Sequence, residues 1–398
     1  MAAGSSAGSA ARTENVRARH IGCISPGMSN SLTRADFCRL SLSGLIGLSA
    51  CGKHAATPGQ KATPSSKEAS AQPPQPPLGA VQTSPSAAPA EAPASVPKRK
   101  LGSTGEFVSM LGLGGAHIGK SKLSDSEAIR LMHEAIDGGI TFFDNCWDYN
   151  EGASEERMGK ALKDGHRQRV FLMTKLDGRT AQAASAQLEQ SLRRLQTDVI
   201  DLVQIHEVIR MSDPARAFAP DGVIVALQAA KKAGKLRYIG FTGHKDPAIH
   251  LAMLDAAQQA GFAFDTVQMP LNVLDAHYKS FEKSVLPVLQ ARAIGVLGMK
   301  SMGSGDILES GVVQAEECLR YALSLPTSVV ITGIDSREVL AQALRVARTF
   351  KPLSPDERAS LLARTLPAAK DGKHELFKTA QKYDGTAKNP KWLEKAEL

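Results

Sequence analysis

Four polar residues stand where apolar runs of strand length end: Asp144 with Tyr149 just beyond it, Lys175, and His206. A charge at the end of such a run is dehydrated and costly unless a partner compensates it. Asp144 and Lys175 would compensate each other at one mouth. A tyrosine beside that lysine is then expected to have a lowered pKa, because the cation stabilises the phenolate, and so to protonate a carbonyl oxygen as a general acid. His206 is suited to donate a hydrogen bond that orients the same oxygen. Any one of these residues alone also fits a polar cap on a strand. All four at one place are what a proton-handling site needs.

Such convergence demands a scaffold that gathers strand ends. From Lys98 onward, apolar runs alternate with amphipathic stretches of helix length, the pattern of parallel βαβ units. The strand-like runs are Val108–Gly114, Thr141–Asp144, Val170–Lys175, Val199–His206, Arg237–Thr242, Thr266–Leu271, Ile294–Met299 and Val329–Gly333. The helical stretches include SDSEAIRLMHEAIDGG, opened by Ser124 with Glu127 as a capping box and ended by Gly138-Gly139, and TAQAASAQLEQSLRRLQ. Eight strand-then-helix repeats over about 250 residues predict an α/β fold, a (β/α)8 TIM barrel with its chemistry at the C-terminal strand ends. An open doubly wound sheet is the alternative. LGSTGEFVSM reads as a hairpin around Ser103-Thr104-Gly105 that closes the barrel bottom. The loop Glu207 to Asp221 offers Met211 and Phe218 to line a pocket.

The segments FFDNCWDYNEGASEERMGKAL, VFLMTK and DLVQIH resemble those that carry the Asp, Tyr, Lys and His of the aldo-keto reductase family. The resemblance covers roughly residues 98 to 350. It implies that Tyr149 is the general acid, Asp144 and Lys175 its tuning pair, and His206 the group that positions a small-molecule carbonyl substrate. It also implies a nicotinamide dinucleotide held by GFTGH, VQMPLN, GMKSMG and ITGIDSREVLAQAL. Thr242 stands at the family's carboxamide-binding serine, with Gly243 in place of the asparagine that usually follows, and Gln268 matches the glutamine on the other side of the amide. Met299 replaces a stacking aromatic ring, a substitution that a thioether tolerates. Gly333 and Ser336 keep the phosphate-binding turn. Val339 replaces the arginine that grips a 2′-phosphate, and Gln342-Ala343 the usual Glu-Asn. Arg337 or Lys300 is expected to restore the lost charge, which favours NADP(H) over NAD(H).

Composition narrows the alternatives. Forty-eight basic and 40 acidic residues leave a formal +8, spread along the chain without a basic stripe interleaved with aromatics, so nucleic acid is not an expected partner. Cys23, Cys38, Cys51, Cys146 and Cys318 show no Cys-x-x-Cys spacing, and no metal cage is expected from them. In the first 51 residues, Arg34 and Arg39 precede the apolar stretch Leu40 to Ala50, and Leu48-Ser49-Ala50-Cys51 resembles a bacterial lipobox. Thr33-Arg34-Ala35-Asp36-Phe37 resembles a twin-arginine motif with Ala35 in the second arginine's place. Residues before Met28 read as an over-long start. Residues 52–97, rich in Pro, Ala and Ser, read as a disordered linker of extended character. The expected organisation is therefore a signal and lipobox segment (1–51), the linker, a barrel (98–350) and a polar tail (351–398). Cys51 would then tether an exported protein to a membrane facing the periplasm, a cytoplasmic enzyme being the alternative. The expected function is NAD(P)H-dependent reduction of an aldehyde or ketone, against a cofactor-binding sensing barrel with little turnover.

Overall fold

The computed structural model describes residues 95–398, so the expectations for the signal, the lipobox and most of the linker lie outside the described residues. Eight parallel strands close a barrel: β3 (Leu111–Gly114), β4 (Phe142–Asp144), β5 (Phe171–Leu176), β6 (Ile200–Ile205), β7 (Leu236–Thr242), β8 (Thr266–Pro270), β9 (Gly295–Met299) and β10 (Val329–Gly333). Each pairs with its neighbour in sequence, and β10 returns to β3 with Val330 opposite Leu111. The open-sheet alternative is thereby excluded.

All eight predicted runs are barrel strands, with one difference at the first. Residues 108–114 are split at Met110 into β2 (Phe107–Ser109) and β3. Strand β2 pairs antiparallel with β1 (Lys98–Lys100) in the expected hairpin. The break follows from local hydrogen bonding: Met110 N donates to Pro97 O (2.8 Å) and Ser109 Oγ to Leu111 O (2.6 Å), turning the chain from hairpin into barrel. Leu101 at the hairpin turn packs with Phe142, Met173, Leu202, Leu297 and Val329 in the barrel interior, which it plugs from below. Gly102 lies so close to Gly295 that a Cβ there would stand 2.3 Å from its amide nitrogen, so no larger residue fits this turn.

Outside the barrel, helices cover the strands. The helix Asp125–Asp137 carries the expected capping box at Ser124, and Ala181–Leu195 is capped by Thr180. Both present an apolar face to a continuous outer core. Residues 351–398 run as one helix, Pro355–Thr365, followed by short helical turns. This tail crosses the loops at the C-terminal mouth. Arg179 N donates to Leu393 O (2.7 Å), Thr386 N to Glu207 (2.9 Å), Lys245 Nζ to Ala380 O (2.8 Å) and Lys378 Nζ to Asp275 (2.7 Å).

Candidate active site

At the mouth, β4 and β5 are neighbours in register, with Asp144 opposite Met173, and the two charged side chains meet. Lys175 Nζ donates to Asp144 in a short ion pair, to Asn145 O at 2.7 Å and to Tyr149 Oη at 3.2 Å. Gln268 from β8 donates to the other Asp144 oxygen at 2.9 Å. Lys175 is 1% exposed. This compensation within hydrogen-bond distance is what allows an ammonium to be buried.

Tyr149 reaches the lysine from a strained turn. Asn150, Glu151 and Gly152 follow it with φ of 54°, 57° and 90°, three successive residues in the left-handed region. Asparagine and glycine tolerate that region, whereas glutamate stores strain there. The surroundings hold the turn: a Cβ on Gly152 would come 2.6 Å from the Arg194 guanidinium carbon, and Arg194 donates to Trp147 O at 2.9 Å. Trp147 in turn donates to Gln190 (2.7 Å) and meets the tail's Trp392 edge to face at 5.7 Å.

His206 follows directly on β6, its ring perpendicular to that of Tyr149 with centroids 6.2 Å apart. Arg179, itself buried, fixes the backbone there by donating to His206 O (2.6 Å), Glu207 O (2.9 Å) and Asp177 O (2.8 Å). The four expected proton-handling residues therefore surround one point.

The expected lowering of the Tyr149 pKa is not found. Burial pushes the phenol well above its usual range, and the charges of Asp144, Cys146, Asp148 and Asp177 push it further. The nearby ammonium is outweighed by low dielectric and several carboxylates. Burial also lowers His206. Sequence reasoning missed Asp148 and Asp177: Asp177 lies just beyond β5, and its side chain meets His206 only in three dimensions.

A cavity of about 420 Å³ opens from Asp144 and Tyr149 and runs past Gln268, Met299 and Lys300 to Gly333, Val339 and Gln342. Five of the nine residues expected to hold the dinucleotide, namely Gln268, Met299, Lys300, Gly333 and Gln342, therefore line one space. Thr242, Gly243, Ser336 and Arg337 do not line it. Thr242 is buried with Oγ1 4.0 Å from Met299 Sδ. At Gly243 a Cβ would stand 2.2 Å from Val208 O, which explains why no asparagine follows Thr242. Ser336 is the N-cap of the helix Arg337–Arg348, its Oγ accepting from Val339 N. Arg337 is paired with Glu134, Nε donating at 2.9 Å. Lys300 is thus the lining cation, held down to about 8 by burial and stacked 4.0 Å above the Tyr383 ring of the tail. His117, not singled out in the sequence, also lines the cavity; its ring lies 2.3 Å from where a Cβ of Gly333 would be, and burial lowers its pKa to about 4. Met211 and Phe218 do not line this space: Met211 is exposed, and Phe218 packs edge to face on Phe262 and Phe264.

The space fits a nicotinamide group on two grounds. Gln268 Oε1 is buried at its wall with no hydrogen-bond partner, an acceptor free for an amide N–H. Further along the same wall Lys300 offers positive charge to the phosphates that such a group carries as a dinucleotide.

A closed eight-stranded parallel barrel with Asp, Tyr, Lys and His gathered at its C-terminal mouth defines a narrow structural class. The profile described as "Aldo/keto reductase family" matches residues 110–314, and the chain belongs to that family. It is 30% identical over 225 residues to the uncharacterized oxidoreductase YrpG of Bacillus subtilis, covering 52% of this chain and 66% of that protein. To the L-galactose dehydrogenase of Arabidopsis thaliana it is 29% identical, covering 54% of this chain and 67% of that protein. The aldo-keto reductase AKR11C1 from Bacillus halodurans, solved in its holo form, superimposes with a TM-score of 0.58 at 25% identity, covering 70% of this chain and all of that one.

Proposed function

We propose that the chain reduces an aldehyde or ketone to an alcohol with a nicotinamide cofactor, NADP(H) in preference to NAD(H), and that Tyr149 is the general acid. The observation that carries this reading is the contact of Lys175 with both Asp144 and Tyr149 Oη beside a cavity that the two partners line. The reduced nicotinamide supplies a hydride to the carbonyl carbon. Gln268 Oε1 would hold its amide, and Lys300 would attract the adenosine 2′-phosphate in place of the arginine lost at Val339.

The remaining work falls to the protein. Tyr149 Oη gives its proton to the oxygen as negative charge develops there. The raised pKa keeps the phenol protonated at neutral pH, and an alkoxide is basic enough to take that proton. Lys175 stabilises the phenolate left behind, and Asp144 holds the lysine in place. His206, neutral because burial lowers its pKa, donates a hydrogen bond that orients the carbonyl.

The test is single-turnover oxidation of bound NADPH by an activated aldehyde. Tyr149→Phe is expected to lose about 10²–10⁴-fold in rate with cofactor affinity nearly unchanged. A variant as fast as the parent refutes the assignment, and a parent that binds cofactor yet reduces nothing favours the sensing barrel.

For location, the Leu48-Ser49-Ala50-Cys51 ending and the Pro/Ala-rich stretch after it support a lipidated Cys51 on the periplasmic side of a membrane. Export of a folded, cofactor-loaded protein reconciles that position with nicotinamide chemistry.

A further inference from the structure

Beside the tetrad, three adjacent strand ends bring together four side chains of mixed donor type. Cys146 and Asp148 come from the loop after β4, Asp177 follows β5 and His206 follows β6. One donor atom from each, the Cys146 sulfur, the His206 Nδ1 and a carboxylate oxygen of each aspartate, can be chosen so that all lie within 4.8 Å of one another. From His206 Nδ1 it is 3.4 Å to Cys146 Sγ, 2.8 Å to Asp177 Oδ1 and 3.9 Å to Asp148 Oδ1. A tetrahedral zinc ion with bonds of about 2.0–2.3 Å needs donor separations of about 3.3–3.8 Å, so small side-chain adjustments would enclose one.

Hydrogen bonds within the cluster do not satisfy it. His206 Nδ1 has one proton or one lone pair, and it is used by Asp177 or by Cys146. Asp148 Oδ1, turned towards His206, has no partner, and neither has the second Asp177 oxygen, although Asp177 is 0% exposed. The thiol's remaining contacts are a weak one, 3.7 Å to Lys175 O, and the Asp148 carboxylate. Buried carboxylate oxygens without partners are costly, and a cation between these groups would compensate that cost.

We propose that Cys146, Asp148, Asp177 and His206 bind one divalent cation of the zinc class. Sulfur and imidazole donors select a borderline transition ion over magnesium or calcium, which take oxygen ligands. Asp148, at 13% side-chain exposure, gives the route of entry. With four protein ligands the ion keeps no position for a substrate oxygen, so its role is positional. Bound at Nδ1, it fixes the His206 tautomer with the proton on Nε2 and holds the ring. The site stands on donor geometry alone; only its effect on catalysis rests on the reductase reading.

The experiment uses the full chain without a polyhistidine tag, loaded with Zn²⁺, desalted and analysed for metal by mass spectrometry, with Co²⁺ loading as an optical probe. The expected result is one zinc per chain and a thiolate-to-cobalt charge-transfer band. Cys146→Ser should lose that band, and Asp177→Asn should weaken retention by more than about tenfold, the least that removal of even an outer-shell partner costs. Asp148→Asn, at the most exposed ligand, repeats the retention test should the buried variants not fold. Substoichiometric zinc after loading, or a band that survives in Cys146→Ser, overturns the proposal. Zinc retained by a chain that reduces no carbonyl would sink the reductase reading and leave the metal site standing.

Discussion

Under the tail, Lys378 lies fully buried between two carboxylates, Asp275 at 2.7 Å and Glu375 at 2.9 Å. One ammonium cannot balance two carboxylates, and one of the Glu375 oxygens has no partner. Burial and the charge of Asp275 raise Glu375 from 4.5 to about 7, against the opposing pull of Lys378. An unfolded glutamate titrates near 4.5, so between these values the native state holds a proton that the unfolded state has released. The sign is therefore that stability grows as pH falls through this window, and that the full ionisation penalty is present above about 7. At about 1.4 kcal/mol per pH unit, the penalty amounts to about 3 kcal/mol. Glu375→Gln removes the charge and keeps the oxygen that accepts from Asn272 at 3.1 Å. Denaturant unfolding of the two proteins is the assay. The variant is expected to be the more stable by up to about 3 kcal/mol near pH 8, with the difference vanishing near pH 4.5. A parent that is more stable near pH 8, or a difference that ignores pH, would refute the reasoning.

Lys300→Met should weaken NADPH by about 10–100-fold, the worth of a hydrogen bond to a charged group, and leave NADH nearly unchanged; fluorescence titration reads both. Arg337→Ala should change neither, because its guanidinium is held by Glu134, and a selective loss of NADPH there would move the phosphate site to Arg337. Mass spectrometry of the protein from its native host should find a diacylglyceryl-modified Cys51 at the N-terminus, and an unmodified chain extending upstream of it would remove the anchor. Tyr149→Phe, described above, separates the proton donor from the cofactor site.

The strands were legible because nearly all are buried apolar runs in which local pattern and tertiary role agree. The capping box at Ser124 and the mutual compensation of Asp144 and Lys175 were legible for similar reasons: one is local, and the other follows from the cost of burying a lone charge. Three things were not. The tail reads as polar and basic, yet Trp392, Phe377 and Ala369 are buried and its Lys378 is paired beneath the surface, so a few anchors outweigh average composition. The Tyr149 environment is a sum over burial and several carboxylates brought in by folding, which no spacing reports. The donor cluster draws on the loops after three strands, and without Cys-x-x-Cys or His-x-x-His periodicity its members look unrelated in one dimension.

Compensation at the mouth is unequal, and the inequality has a direction. Asp144 has Lys175 and Gln268. Glu207 has His244 at 2.9 Å and the Thr386 amide at 2.9 Å. Arg179, two residues beyond Asp177, spends its side chain on three carbonyls and on Asp213 at 3.1 Å. Asp148 and Asp177 are left with one imidazole between them, a group that carries at most a single positive charge. Glu375 beneath the tail also lacks a full match, but only Asp148 and Asp177 are left short beside a thiol and an imidazole. A divalent cation supplies the missing charge at the one ring nitrogen whose protonation decides how His206 meets a carbonyl.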